Sequence, residues 1–157
     1  MIISDSTAII TLININEFEL LKRFTKKLIL VKEVYDEISL EENAKKFLDA
    51  EIESNYVIIQ NCNNRILFDE INILLDDGEA ASIALAIEKK QPLIIDEKKG
   101  RKFAKNLGVE IIGLIGIIRF LHLDNRIDKK QTLKLIDKLN DSDFRISDSL
   151  LDMILNK

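Results

Sequence analysis

Four acids are spaced through the chain so that they could serve a single reaction: Asp5, Glu37, Glu79 and Asp96. Asp5 and Asp96 directly follow the short apolar runs Met1–Ser4 and Pro92–Ile95. Glu79 falls in the first turn of the helical pattern DDGEAASIALAIE, and Glu37 one turn along the helix that follows Leu28–Val31. Carboxylates brought together repel one another and raise each other's pKa, a cost that a bound divalent cation removes. All-oxygen ligation without His or Cys points to Mg²⁺ or Mn²⁺ rather than zinc. Such a cluster suits hydrolysis of a phosphodiester, in which a cation activates water and stabilises the leaving oxygen.

Each acid also has a structural use. Asp5 and Asp96 could cap the helices that follow them. Asp76 with Glu79 three residues on fits a variant of the capping box. Glu37 could lie on a solvated helix face. Their joint placement favours a site: both strand-end residues are acidic, and both helix acids lie near the same edge. The other chemistries find little support. His122, alone in IIRFLHL, reads as a packed or partly exposed histidine, and Cys62 as a semi-buried thiol without a role. No serine–histidine arrangement is available, and no GxxxxGK[ST] or GxGxxG is present to cradle a nucleotide.

The elements that must position these acids alternate in kind. Met1–Ser4, Leu28–Val31, Val57–Ile59, Pro92–Ile95 and Val109–Ile112 read as short buried strands. Between them, AIITLIN after Asp5-Ser6-Thr7, Glu17–Lys27, Lys32–Leu40, Glu41–Asn55, the stretch that opens at Asp76 and the basic stretch after Asp96 read as helices. Ile66–Leu75 is ambiguous and is read as helical. Leu114–Leu123, a helix capped by Asp128 and one capped by Ser147 complete the chain. The fold class expected is a three-layer α/β/α sandwich around a central, mostly parallel sheet of four to five strands, Rossmann-like in plan. If every helix leaves the same edge of that sheet, all four acids meet there. Ligands gather at the carboxyl ends of such strands.

Composition sets the bounds. At 157 residues, 46% hydrophobic and 32% charged, the chain fits one globular domain spanning 1–157. No apolar run approaches a membrane span, and MIISDST has no basic region ahead of its apolar residues, so neither membrane insertion nor a signal peptide is expected. A single cysteine excludes an internal disulfide and suits a reducing cytosol, so the expected location is cytoplasmic. The net charge of −4 counts against a passive polyanion binder. Against that background Lys98, Lys99, Arg101, Lys102 and Lys105 stand out. Lys98, Arg101, Lys102 and Lys105 share one helical side, either a phosphate grip beside Asp96 or an ordinary solvated face. Lys22, Arg23, Lys26 and Lys27 are a weaker candidate for the same role.

ISDSTAIITL, VKEVYDEI, LDDGEAASIALAIE and LIIDEKKGRKFAKNLG, in this order, resemble the PIN domain, the fold of many VapC-type toxin ribonucleases. The match is closest to a branch of predicted nucleic-acid-binding proteins. In that branch a GEAxAIALA helix, a strand ending in aspartate before a basic helix, a GxxG and a terminal FRIS recur. Here these are Gly78–Ala86, Asp96–Arg101, Gly113–Gly116 and Phe144–Ser147. The resemblance implies a metal-dependent ribonuclease in which Asp5, Glu37, Glu79 and Asp96 hold Mg²⁺ or Mn²⁺. It makes Ser6 the small hydroxyl residue beside the first acid, and Lys98, Arg101 and Lys102 contacts to RNA. It further implies a homodimer and, as the toxin of a type II toxin–antitoxin pair, inhibition by an antitoxin protein whose tail covers the acidic pocket. The third acid is glutamate where many PIN toxins have aspartate, and Ile112 and Leu114 stand where threonines often flank the GxxG. Two other readings stay open: a catalytically silent PIN-like binding or interaction module, and, more weakly, a receiver-like phosphoacceptor.

Overall fold

In the computed structural model, which describes residues 1–142 and 144–156, five short strands form one sheet. They are β1 (Ile2–Ser4), β2 (Leu28–Val31), β3 (Val57–Gln60), β4 (Leu93–Ile94) and β5 (Ile111–Ile112). Their order is β3-β2-β1-β4-β5, and every pairing is parallel. Ile3 pairs with Ile29 on one side and Leu93 on the other, so β1 is the central strand. All residues of β1, β2 and β4 are buried, which is why these segments read as unbroken apolar runs rather than alternating ones. Pro92 stands just ahead of β4, where it needs no ladder N–H, and its carbonyl still accepts from Ile3 N at 3.1 Å.

Ten helices surround the sheet among the described residues: α1 (Ser6–Asn14), α2 (Glu19–Phe24), α3 (Lys32–Ile38), α4 (Glu42–Glu53), α5 (Arg65–Asn72), α6 (Asp77–Lys89), α7 (Lys98–Asn106), α8 (Leu114–Leu123), α9 (Lys129–Asn140) and α10 (Asp148–Leu155). The layer of α6 packs on β1, β2 and β4 with α3 and α5 beside it, and the layer of α8 gathers α2, α9 and α10. This is the three-layer α/β/α sandwich. Helix α6 is buried without interruption from Gly78 to Ala86. Its alanines and Ser82 carry little bulk, so its backbone can lie close to the sheet.

Some boundaries differ from those the hydrophobic pattern suggests. Glu17–Lys27 is helical only over Glu19–Phe24. Asn16 takes a left-handed φ of 62° at its start, and Thr25 is extended at its end, with its hydroxyl donating to Lys27 O at 3.0 Å. The ambiguous Ile66–Leu75 is helix α5 over Arg65–Asn72, capped by Asn64. His122 is structural. The Thr132 hydroxyl donates to Asp128 O at 2.8 Å, so at 3.0 Å from His122 Nδ1 it acts as acceptor and the Nδ1 carries the proton. Leu30 lies at the middle of β2 with no exposure. Leu30→Ala should therefore cost about 3 kcal/mol in urea unfolding with the denaturant slope unchanged. A loss below about 1 kcal/mol would contradict a doubly covered β2.

Candidate metal and active site

In the strand order β3-β2-β1-β4-β5 the connections from β1 run one way, to β2 and β3, and the chain then returns past β1 to β4 and β5. The reversal falls between β1 and β4, the place where an open α/β sheet leaves a crevice for ligands. Asp5 follows β1 and Asp96 stands two residues past β4, with Asp5 N bonded to Ile94 O at 2.9 Å. Parallel strands bring both to one edge, where α3 and α6 also begin.

Asp5 occupies the capping position of α1, yet its side chain makes no capping hydrogen bond. The residue is 3% exposed, and its Oδ1 is buried without a partner. Burial pushes its pKa up to about 7; the Ser6 N–H works against this, while the charges of Glu79, Asp76 and Glu37 add to it. Ser6 itself is buried at the first residue of α1. Glu37 is exposed but leans in over Gly78: a Cβ on that glycine would lie 3.3 Å from Glu37 Oε2, 3.6 Å from Asp5 Oδ1 and 3.2 Å from a Val34 methyl. The bare glycine at the start of α6 is what lets the two carboxylates approach the same point.

Glu79 completes a capping box, Asp76 Oδ1 accepting from Glu79 N at 2.8 Å and Glu79 Oε2 from Asp76 N at 3.4 Å. That role does not neutralise it. Burial first, then Asp76 and the adjoining Glu97, push its pKa up to about 7. The charge of Glu97, whose own side chain accepts from Gly100 N, adds to that push.

Asp96 is turned the other way. Both its oxygens face Leu114 N, at 3.1 and 3.3 Å, so it caps α8 across space rather than its own following helix. Glu97 takes that local task, accepting from Gly100 N at 2.8 Å. Burial raises the Asp96 pKa, with the Leu114 N–H and Arg101 opposing. Asp5, Glu37 and Glu79, with Asp76, thus form one acidic group, and the Asp96 side chain lies beside it on the β5 flank. Reading the chain alone singled out Asp96 from the Asp96–Glu97 pair. Glu97 is the acid whose charge bears on Glu79, and the doubled acid after the strand is its sign in the sequence. Asp76, seen only as a cap, also contributes charge to Asp5.

The basic residues divide. Lys98, Lys99, Lys102 and Lys105 are exposed on α7, and among the described residues none has a carboxylate within 4 Å. Arg101 is half-buried and donates to Ile95 O at 2.8 Å. The weaker candidates are engaged elsewhere: Lys22 pairs with Glu19 and Glu51, Arg23 donates to Arg126 O, and Lys27 donates to Asn55 O.

The donor set fits a hard divalent cation. It is all oxygen, it includes an unpartnered buried carboxylate oxygen, and among the described residues no Lys or Arg lies within 4 Å of Asp5, Glu37 or Glu79. Among those residues no three His, Cys, Asp or Glu side chains converge closely enough to enclose an ion as placed. Two carboxylates with water completing the shell is the habit of Mg²⁺ rather than of an all-protein cage.

A parallel α/β/α sheet with an acidic crevice at its switch point is a nuclease-like arrangement. A protein-family model described as a PIN domain matches residues 1–157, and the chain belongs to the PIN-domain family. A comparison with curated proteins finds no match. No helix among the described residues is long and apolar enough to cross a membrane.

The buried acids leave a mark on stability. The fold favours protonated Asp5, so the stability this group contributes is complete below its ordinary value of 3.8 and is lost as pH rises through about 7. In chelator, Asp5→Asn should gain on the order of 3 kcal/mol relative to wild type between pH 4 and pH 8. Parallel pH profiles for the two proteins in urea would contradict a buried, raised Asp5.

Proposed function

We propose that this protein is a Mg²⁺- or Mn²⁺-dependent endoribonuclease that hydrolyses RNA phosphodiester bonds, acting in the cytoplasm as the toxin of a type II toxin–antitoxin pair. The observation that carries this reading is Asp5: a buried carboxylate with an unpartnered oxygen, at the switch point of a PIN-domain sheet, ringed by Glu37, Glu79 and Asp76.

In this reading Asp5, Glu37 and Glu79 hold the cation, with Asp96 contributing from the β5 flank. A cation held there would supply a water of lowered pKa and offset charge on the phosphate and leaving oxygen. The chain's own residues do the remainder. Burial of Asp5 and Glu79 keeps the crevice short of water and makes the pair costly unless a cation is near. The Ser6 N–H and Leu114 N–H orient Asp5 and Asp96. Lys98, Arg101 and Lys102 hold the RNA backbone, and among the described residues the lysines of α7 have no acid within 4 Å. A homodimer and an inhibitory antitoxin protein belong to the same reading by family.

A second reading, a catalytically silent PIN-like module that binds nucleic acid or protein, is favoured by the lack of three converging ligands among the described residues. Calorimetry with Mn²⁺ separates the two, because no binding at millimolar concentration leaves only the silent module. The test of activity is RNA cleavage with Mg²⁺ or Mn²⁺. Asp5→Asn and Asp96→Asn should each lower the rate by at least about 100-fold, the loss typical of removing electrostatic support from a charged transition state. Full activity in both variants would overturn the site.

A further inference from the structure

Two motifs are left over by the acidic crevice, Gly113–Gly116 and Phe144–Ser147. Both shape a cavity of about 420 Å³ on the β5 flank, within the size range of small-ligand sites. The first motif carries the chain from β5 into α8 and forms one wall with Ile115. The second sets α10 in place as the other. Ile146 N donates to Asn140 Oδ1 at 2.9 Å, Phe144 and Ile146 pack on the core, and the Ser147 hydroxyl caps α10 by accepting from Leu150 N at 3.2 Å. Leu150 and Met153 of α10 then face Ile111 and Ile115 across the space.

The apolar walls carry two cations. Arg101 and Arg119 both line the cavity, and among the described residues neither has a carboxylate within 4 Å. Arg119 Nε donates to Met153 O at 2.9 Å, which ties the guanidinium to α10 while, among the described residues, its other N–H groups take no hydrogen-bond partner. Guanidinium cannot lose its charge, and its planar face and fork suit a base and a phosphate respectively. Asp96 lines the inner end, so the cavity opens directly beside the acidic crevice.

We propose that this cavity is a nucleotide subsite, taking the base of the RNA residue next to the scissile phosphate between α8 and α10, with that residue's own phosphate on Arg101 and Arg119. The assignment deepens the nuclease reading and rests on it for the identity of the ligand. The complementarity is direct: apolar walls for a base, two arginines for an anion, and Asp96 in the lining on the side of the acidic crevice. It gives the C-terminal helix a task in binding substrate.

The test is binding rather than cleavage, so the two readings can fail separately. Adenosine 5′-monophosphate is titrated into the full chain in chelator while the methyl resonances of Ile111, Ile115 and Met153 are followed. Those methyls should shift, and Arg119→Gln should raise Kd at least about fivefold, a larger loss than for the weaker binding of adenosine, which lacks the phosphate. Met153→Asp, at a position 53% exposed and so safe for folding, should weaken the nucleotide similarly by adding a negative charge at the mouth. No binding up to about 10 mM, shifts confined to other methyls, or unchanged Kd in both variants would overturn the subsite. Nucleotide in the cavity of a protein that cleaves no RNA would uphold the subsite and overturn the nuclease instead.

Discussion

Everything at the functional edge depends on a carboxylate held where water is scarce. Asp5 leaves the central strand β1, with β2 and β4 on either side and the start of α6 above it. Removing an ionised carboxylate from water is unfavourable unless it is paired or protonated. Here no cationic side chain is supplied among the described residues, and Asp76, Glu37 and Glu79 bring further negative charge. The frame therefore keeps an electrostatic deficit that a proton or a divalent cation can satisfy. That deficit is maintained by rigid packing, since Ile3, Ile29, Leu30 and Ile94 around it are fully or almost fully buried.

Helix α6 transmits this constraint. Its small residues let it sit near the sheet, and closeness to the sheet carries Gly78 and Glu79 into the crevice. The capping box formed by Asp76 and Glu79 secures the first turn, where free N–H groups favour negative charge. Capping thus does not exhaust these carboxylates. A cap needs one lone pair on each acid, and a carboxylate has several.

Much of the fold was legible because a parallel sheet covered on both faces writes itself as bare apolar runs. Leu28–Val31 coincides with β2, and Leu114–Leu123 with α8. Strand order was not legible, because runs such as IIS, LILV and LI carry nothing that tells one neighbour from another. Side-chain direction was legible least. Asp96 and Glu97 are adjacent acids after a strand, and only the path of β5 beside β4 decides that the first turns to Leu114 while the second caps the helix that follows at Gly100. The helical face of Glu17–Lys27 likewise gave no hint that Lys22 would be claimed by Glu51, 29 residues away.

Arg101 is the joint between the acidic crevice and the β5 flank. It leaves α7 among lysines that face solvent, yet it folds inward to Ile95 O and stands beside Asp96. Gly113 makes this possible, since a Cβ there would lie 2.7 Å from Asp96 Oδ1 and 2.8 Å from Arg101 Nη1. One missing side chain thus lets an acid reach the first turn of α8 and a guanidinium lie against the same backbone. The acid faces the helix start and the cation faces the cavity. A polyanionic strand crossing this edge would meet the negative charge of the acidic crevice and, beside it, the positive charge of Arg101. For a chain with a net charge of −4, that local alternation rather than the overall charge decides where RNA could settle.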